Sequence, residues 1–173
     1  TTDPGLRMDA HFALDPLPAW IAAAVIATLL AHAALAKLAD LALFEQHLAA
    51  YRVAGAALAW LARSIPALEL ATAMLLLSPW RVAGALLATF LLGGYGVAMA
   101  WHRWLGRELD CGCGGEPLPV SWSLVARNAA LALLALLAGS PLTDRSMGLA
   151  DFTVVAAAVP LAVLLYAGLN QIL

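Results

Sequence analysis

Five stretches of this chain are apolar and long enough to cross the hydrocarbon core of a bilayer, which takes ~20 helical residues. Pro16–Ala36, Val82–Trp101 and Phe152–Leu173 hold no charged residue. Val53–Ser78 carries Arg63 and Glu69, and Val120 to about Ala138 carries Arg127. Ions inside a span are costly, so these three need partners or a task. The helices implied run over about residues 18–37, 55–78, 81–101, 121–138 and 152–171. Composition agrees. The chain of 173 residues is 64% hydrophobic and 12% charged, against about 45–50% and a quarter in soluble domains. A soluble globule of this size keeps too much surface in water to hide so much Ala, Leu and Val. The same numbers exclude disorder. Nine basic residues against eleven acidic ones, with no basic run, argue against nucleic-acid binding.

Residues 38–51, with the amphipathic helix placed over 39–51, need another reading. Leu38, Leu41, Leu43, Phe44, Leu48 and Tyr51 alternate with Asp40, Glu45, Gln46 and His47 at helical spacing, the pattern of a helix lying in the membrane interface. The expected fold is therefore an all-α integral membrane protein: a four-helix transmembrane bundle, a fifth C-terminal span and an interfacial amphipathic helix. Residues 1–15 form a tail, with 1–7, ahead of Met8, set aside as a leader, and 16–173 a single membrane domain. Pro16 and Pro18 suit a first helical turn, and Ser121 can cap the fourth span. Ser78-Pro79-Trp80 is a tight turn that makes spans two and three antiparallel neighbours. Trp20, Trp80, Trp101, Trp104 and Trp122 fall near helix ends, as an interfacial aromatic belt does.

Alternating spans put the amphipathic segment and the 102–120 loop on one face. The N-terminus, the Ser78–Trp80 turn and the 143–150 loop lie on the other. Lys37 closes the first span on the loop face. Arg63 enters ~12 Å and Arg127 ~9 Å from that face at 1.5 Å per residue, and Glu69 lies deeper. Lys37, Arg63, Arg127 and Glu69 are thus expected to converge beneath the loop. The plainer reading gives Glu69 a packing role and lets Lys37 snorkel. His32, on an Ala-rich stretch of the first span, reads as a packed histidine, and His11 and His47 as interfacial.

That loop holds the two cysteines, Cys111 and Cys113, around Gly112. A disulfide needs Cα atoms about 4.4–6.8 Å apart, which residues i and i+2 reach only in a bent chain, and glycine permits the bend. So small a ring removes little chain entropy, so stabilisation is a poor reason to have it. Strained bridges are the labile or catalytic ones. Asp110 would raise the pKa of an adjacent thiol, and Arg107 would offset it. Two readings compete with a redox pair. One is inert thiols. The other is two thiolates plus His102 holding a soft metal such as Cu(I), since two ligands in one loop are too few for a closed zinc site.

The string AKLADLALFEQHLAAYRV, then IPALEL, then LDCGCGG, then a helix containing ARN, together resemble the methylamine utilisation protein MauE family and its DoxX-like relatives over about residues 30–135. The family usually has an aromatic residue where this chain has Gly114. The resemblance implies a bacterial inner-membrane protein that works with a periplasmic thioredoxin-like partner to mature the disulfide-rich small subunit of methylamine dehydrogenase. DoxX-like relatives imply quinone-linked sulfur chemistry. The layout is also similar to DsbB and vitamin K epoxide reductase, an analogy of fold alone. The resulting expectation is a thiol–disulfide oxidoreductase with Cys111 and Cys113 as the redox pair and no metal. Ubiquinone or menaquinone would bind near Arg63, Glu69, Arg127 and Lys37, walled by Trp101, Trp104 and Trp122. The alternative is a non-catalytic copper-binding or scaffolding subunit.

Overall fold

The computed structural model describes residues 13–107, 109 and 119–172, with side chains to Leu169. Six helices follow in order: α1 (Pro16–Ala39), α2 (Leu41–Ala50), α3 (Ala56–Leu76), α4 (Arg81–Trp104), α5 (Trp122–Ala138) and α6 (Leu149–Ile172). The protein is an all-α, multi-pass membrane protein. α1, α3, α4 and α6 have the length and apolarity to cross a membrane, whereas α5 has 17 residues. At 1.5 Å per residue α5 is about 26 Å long, the lower limit for a span. Pro119 and the turn at Gly139 bound it.

Local chemistry sets the boundaries. Asp15 caps α1, its carboxylate accepting from Leu17 N at 2.9 Å, with Pro16 and Pro18 in the first turn. Asp40 separates α1 from α2 by capping the latter, accepting from Leu43 N at 2.9 Å. Ser121 caps α5 through Leu124 N at 3.3 Å. Each cap satisfies an N–H that the first helical turn leaves without a partner.

α1, α3, α4 and α5 form the bundle, α6 packs against α1, and α2 lies against α3 and α1. α5 runs antiparallel along α4. Asn128 approaches Gly96 near one end, Thr89 donates to Ala132 O at 3.4 Å midway, and Gly139 meets Ala85 at the other. The half of the bundle away from the 105–121 connection is dry and rich in small residues: Ala22, Ala23, Ala27, Ala73, Ala85, Ala88, Ala135 and Ala138 are all buried there with Ile26 and Leu76. In lipid, close packing of small side chains replaces the hydrophobic drive that water would supply. Among its described residues to Leu169, α6 contributes no buried side chain, and its Leu161, Leu164 and Leu165 are exposed, as a lipid-facing span requires.

The end opposite that connection is tied by a small network. Leu14 N donates to Pro141 O at 2.8 Å and Thr143 N to Leu14 O at 2.9 Å. The Arg145 guanidinium grips Asp15 through both nitrogens at 2.9 and 3.0 Å and also reaches Asp151 at 3.0 Å. A planar fork on a carboxylate is the stronger kind of ion pair. Arg145 holds the Asp15 carboxyl below the usual aspartate range, with the Leu17 N–H adding to the effect. Bonds to Asp151 and Asp15 raise the Arg145 guanidinium in turn.

Two expectations follow from this packing. A Cβ at Gly84 would lie 2.6 Å from Leu76 N and 2.8 Å from Leu75 C, both backbone atoms. Gly84→Ala should therefore cost ~1–3 kcal/mol, read as a lower unfolding midpoint in detergent. Gly94→Ala, where a Cβ meets nothing within 4 Å, should cost nothing. For Asp15, a folded-state pKa below the unfolded one adds stability above about pH 3.9. That stability is lost as pH falls through the depressed value. Asp15→Asn should lower the midpoint at neutral pH, and the gap from the unmodified protein should close in acid. A gap unchanged in acid would exclude the carboxylate as its source.

Candidate functional site

The other half of the bundle holds a cavity of about 380 Å³, lined by residues of all six helices. That volume lies in the range of small-molecule sites. Its walls are mainly apolar, including Leu29, Leu61, Ile65, Leu92, Ala98 and Met99, with polar groups entering at a few points. α2 covers it with Phe44, His47 and Leu48, and Tyr51 continues the stripe just past its end. These four positions repeat as i, i+3, i+4 and i+7, one face of a helix. The face predicted for residues 39–51 is thus turned slightly: Leu38 and Leu43 point outward.

Lys37 and Glu69 meet in the cavity wall. Lys37 Nζ lies 2.8 Å from Glu69 Oε1 and 3.0 Å from Oε2. Their side chains are 5% and 0% exposed. Side chains lean toward the N-terminus of their own helix. Lys37 on α1 therefore leans into the bundle and Glu69 on antiparallel α3 leans back toward it. Lys37 does not snorkel to the surface. Phe44 and Tyr95 rings stand 5.6 and 5.8 Å from its ammonium. The Tyr95 hydroxyl donates to Glu69 Oε1 at 2.7 Å. Arg127 reaches the same cavity from α5, its guanidinium 5.3 Å from the Tyr166 ring of α6. Asn128 beside it is buried and donates to Leu124 O at 3.0 Å.

His102 stands at the upper end of the cavity, buried and edge-on to Tyr51, with ring centroids 4.9 Å apart. Arg107 places Nη1 2.8 Å from its Nδ1 and Nη2 3.2 Å from Ala50 O. A guanidinium only donates, so Nδ1 accepts and the ring proton sits on Nε2. Nδ1 is thus unavailable to a metal, and a cation stands beside it. Among the described residues no group of three His, Cys, Asp or Glu could hold a metal ion. Leu109 and Val120 are paired, Val120 N donating to Leu109 O at 2.8 Å. Both pack with Met99, Leu124, Tyr51 and Tyr95, and Met99, Tyr51 and Tyr95 also line the cavity. Cys111 and Cys113 lie outside the described residues, as do Asp110 and Gly114.

The sequence expectation needs three corrections. Arg63 does not join Lys37, Glu69 and Arg127. It is exposed and donates to Ala59 O at 3.0 Å. Six residues from Glu69 on one helix means about 120° of rotation, which turns it outward. Trp101, Trp104 and Trp122 do not wall the cavity and are 57%, 78% and 58% exposed. Trp104 is about 200° from His102, and Trp122 about 140° from Arg127, around their helices. Their exposure suits an interfacial belt. His32 is exposed rather than packed, about 140° around α1 from Lys37. Tyr95, Tyr166 and Asn128 were not singled out as site residues. The three tyrosines all line the cavity and none of the six tryptophans does, a contrast that only the fold reveals.

The polar groups fit an apolar ligand that carries an oxygen or two. Lys37 and the Nε2–H of His102 can donate, while Glu69 and the Tyr95 oxygen can accept. The ion pair itself has a measurable signature. Removing one partner leaves a buried charge uncompensated, so Lys37→Met or Glu69→Gln alone should cost ~3–5 kcal/mol. The double change Lys37→Met with Glu69→Leu should recover most of that, measured as unfolding midpoints in detergent. Additive losses would show that the two side chains do not act as a pair.

The chain matches the methylamine utilisation protein MauE family over residues 15–141. It is 36% identical over 132 residues to the methylamine utilization protein MauE of Paracoccus denitrificans, covering 73% of this chain and 71% of that protein. It is 37% identical over 143 residues to the protein of the same name from Paracoccus versutus, covering 79% and 77%. No solved structure matches it. Matched residues run from the α1 cap past the end of α5 and so include the cavity lining contributed by α1 to α5, and on that extent the chain belongs to the MauE family.

Proposed function

We propose that this protein is a membrane thiol–disulfide oxidoreductase of methylamine utilisation. Cys111 and Cys113 cycle between disulfide and dithiol. The observation that carries the reading is the Leu109–Val120 pair beside the cavity. Cys111 follows Leu109 by two residues, a tether of at most about 7 Å. In the sequence the Cys-Gly-Cys turn lies between Leu109 and Val120, and the cavity next to the cluster those two residues join has ligand size and buried polar groups.

In the forward sense, a thiolate of the substrate attacks one sulfur of the Cys111–Cys113 disulfide and a mixed disulfide forms. The substrate's second thiolate resolves it. The substrate gains a disulfide and this protein keeps the two electrons as a dithiol. The substrate is a periplasmic thioredoxin-like protein or a disulfide-rich protein such as the small subunit of methylamine dehydrogenase. Bound quinone supplies a two-electron, two-proton acceptor that regenerates the disulfide. Arg107, four residues before Cys111, is a cation that favours a thiolate over a thiol.

The location proposed is the bacterial inner membrane, with the cysteines on the periplasmic side, where disulfides persist. Counting loop cations gives Arg7, Arg81 and Arg145 on one face, and Lys37, Arg52, Arg103 and Arg107 on the other. Lys37 and Arg81 are both buried, so both drop out. The counts become two and three, and the orientation rests on where disulfides persist rather than on charge bias.

Cys111→Ser and Cys113→Ser are each expected to abolish substrate oxidation, and one of them to trap a mixed disulfide on non-reducing gels. Alkylation with and without reductant should show a Cys111–Cys113 bridge by mass. Full activity in both single variants and in the double variant would overturn the redox reading. Copper bound in about one equivalent with both thiols reduced would do the same.

A further inference from the structure

We propose that Lys37, Glu69 and Tyr95 form a proton relay for the ligand of the cavity, with the Tyr95 oxygen as the atom that exchanges a proton with it. The inference rests on the redox reading above and assigns residues that the sulfur chemistry does not need.

Three observations support it. The groups are in unbroken hydrogen-bond contact: Nζ to Oε2 at 3.0 Å, and Tyr95 OH to Oε1 at 2.7 Å. All three residues line the cavity. The carboxylate is fully buried, so its proton traffic runs through those two neighbours. A structural ion pair needs no phenol, and a buried carboxylate with a cation on one side and a hydroxyl on the other can pass a proton between them. Tyr95 donates to Glu69, and a phenol oxygen can accept while its hydrogen is given away. A ligand hydroxyl that donates to Tyr95 therefore has an onward path to Glu69. The reverse path delivers a proton to a ligand carbonyl oxygen.

The balance closes within the reaction proposed. The Cys111–Cys113 dithiol loses two electrons and two protons and becomes a disulfide. The quinone gains two electrons and two protons and becomes a quinol. Tyr95 gives one proton to a ligand oxygen and takes one from Glu69, which draws on the Lys37 ammonium. Of the two protons that the thiols release, one returns through solvent to Lys37 and restores the relay, and the other goes through solvent to the second ligand oxygen. Other titratable or charged groups around the same cavity are His47 on α2, Tyr51 after it, His102 on α4, Arg127 on α5 and Tyr166 on α6. Arg63, on the same helix as Glu69, faces away.

Tyr95→Phe is the decisive variant, because it keeps the ring and the Lys37–Glu69 pair and removes only the hydroxyl. Two half-reactions are followed in the purified protein. Reduction of the disulfide by a reduced thioredoxin-like protein should be unchanged. Reoxidation by a short-chain benzoquinone should slow about 100-fold, with the loss narrowing as pH falls and solvent acid substitutes for the relay. Equilibrium binding of the same quinone to protein with both cysteines replaced by serine should change by less than about tenfold. In that protein, quinone binding should perturb a carboxyl infrared band that Glu69→Gln removes. The Lys37→Met, Glu69→Leu double variant should share the reoxidation defect.

Quinone reoxidation at the unmodified rate in Tyr95→Phe would overturn the relay and leave the redox reading standing. An unmodified protein that exchanges with the thioredoxin-like protein but is not reoxidised by quinone would overturn the quinone and the relay together. An unmodified protein that exchanges with neither would overturn the redox reading itself.

Discussion

A lysine and a glutamate from antiparallel helices, both removed from water and hydrogen-bonded at 2.8 and 3.0 Å, fix the geometry of the half of the bundle where the cavity lies. Taking two such charges out of water costs several kcal/mol per ion. The cost is offset only if both find partners in good geometry. That requirement sets the relative positions of α1 and α3. It draws Tyr95 of α4 onto the carboxylate, and it brings the aromatic face of Phe44 over the ammonium, which holds α2 against the bundle. Apolar residues of similar volume can replace such a pair at little cost. Its retention inside a cavity wall fits a site rather than a brace.

The bundle accordingly has two unlike halves. Away from the cysteine-bearing connection, alanines bring α1, α3, α4 and α5 into close contact, and the Arg145 network ties the helix starts together. Near that connection the same helices carry larger and more polar side chains and leave a space. Close packing is concentrated in the first half, and the cavity and the buried ion pair in the second. Gly84 and Gly139 lie in the close-packed half, where backbone approach matters most.

Much of this was legible in the sequence. The long helices follow from apolar runs, and Pro16, Pro18 and Ser121 fix their starts through chemistry that is local to a few residues. The four-plus-one arrangement with a separate amphipathic helix follows from span count and the 39–51 pattern. The azimuth of the ions was not legible in the same way. Arg63 stands on the outer side of its helix, because position along a helix says nothing about azimuth. The tryptophans were assigned to the pocket and to the belt at once, and only the belt agrees with their exposure. Tyr95 escaped notice because a single tyrosine in a Gly-rich span has no pattern. What distinguishes it is contact with Glu69, a residue 26 positions away.

His102 ties the cavity to the chain around it. It lies seven residues from Tyr95 on α4, about 10 Å along the axis and almost in line. Arg107 binds its Nδ1 and also Ala50 O, the last carbonyl of α2. One guanidinium therefore joins the cavity roof, the end of the amphipathic helix and the turn that follows α4. In the redox reading proposed above, this link is what would connect a ligand in the cavity to the cysteines further along the chain.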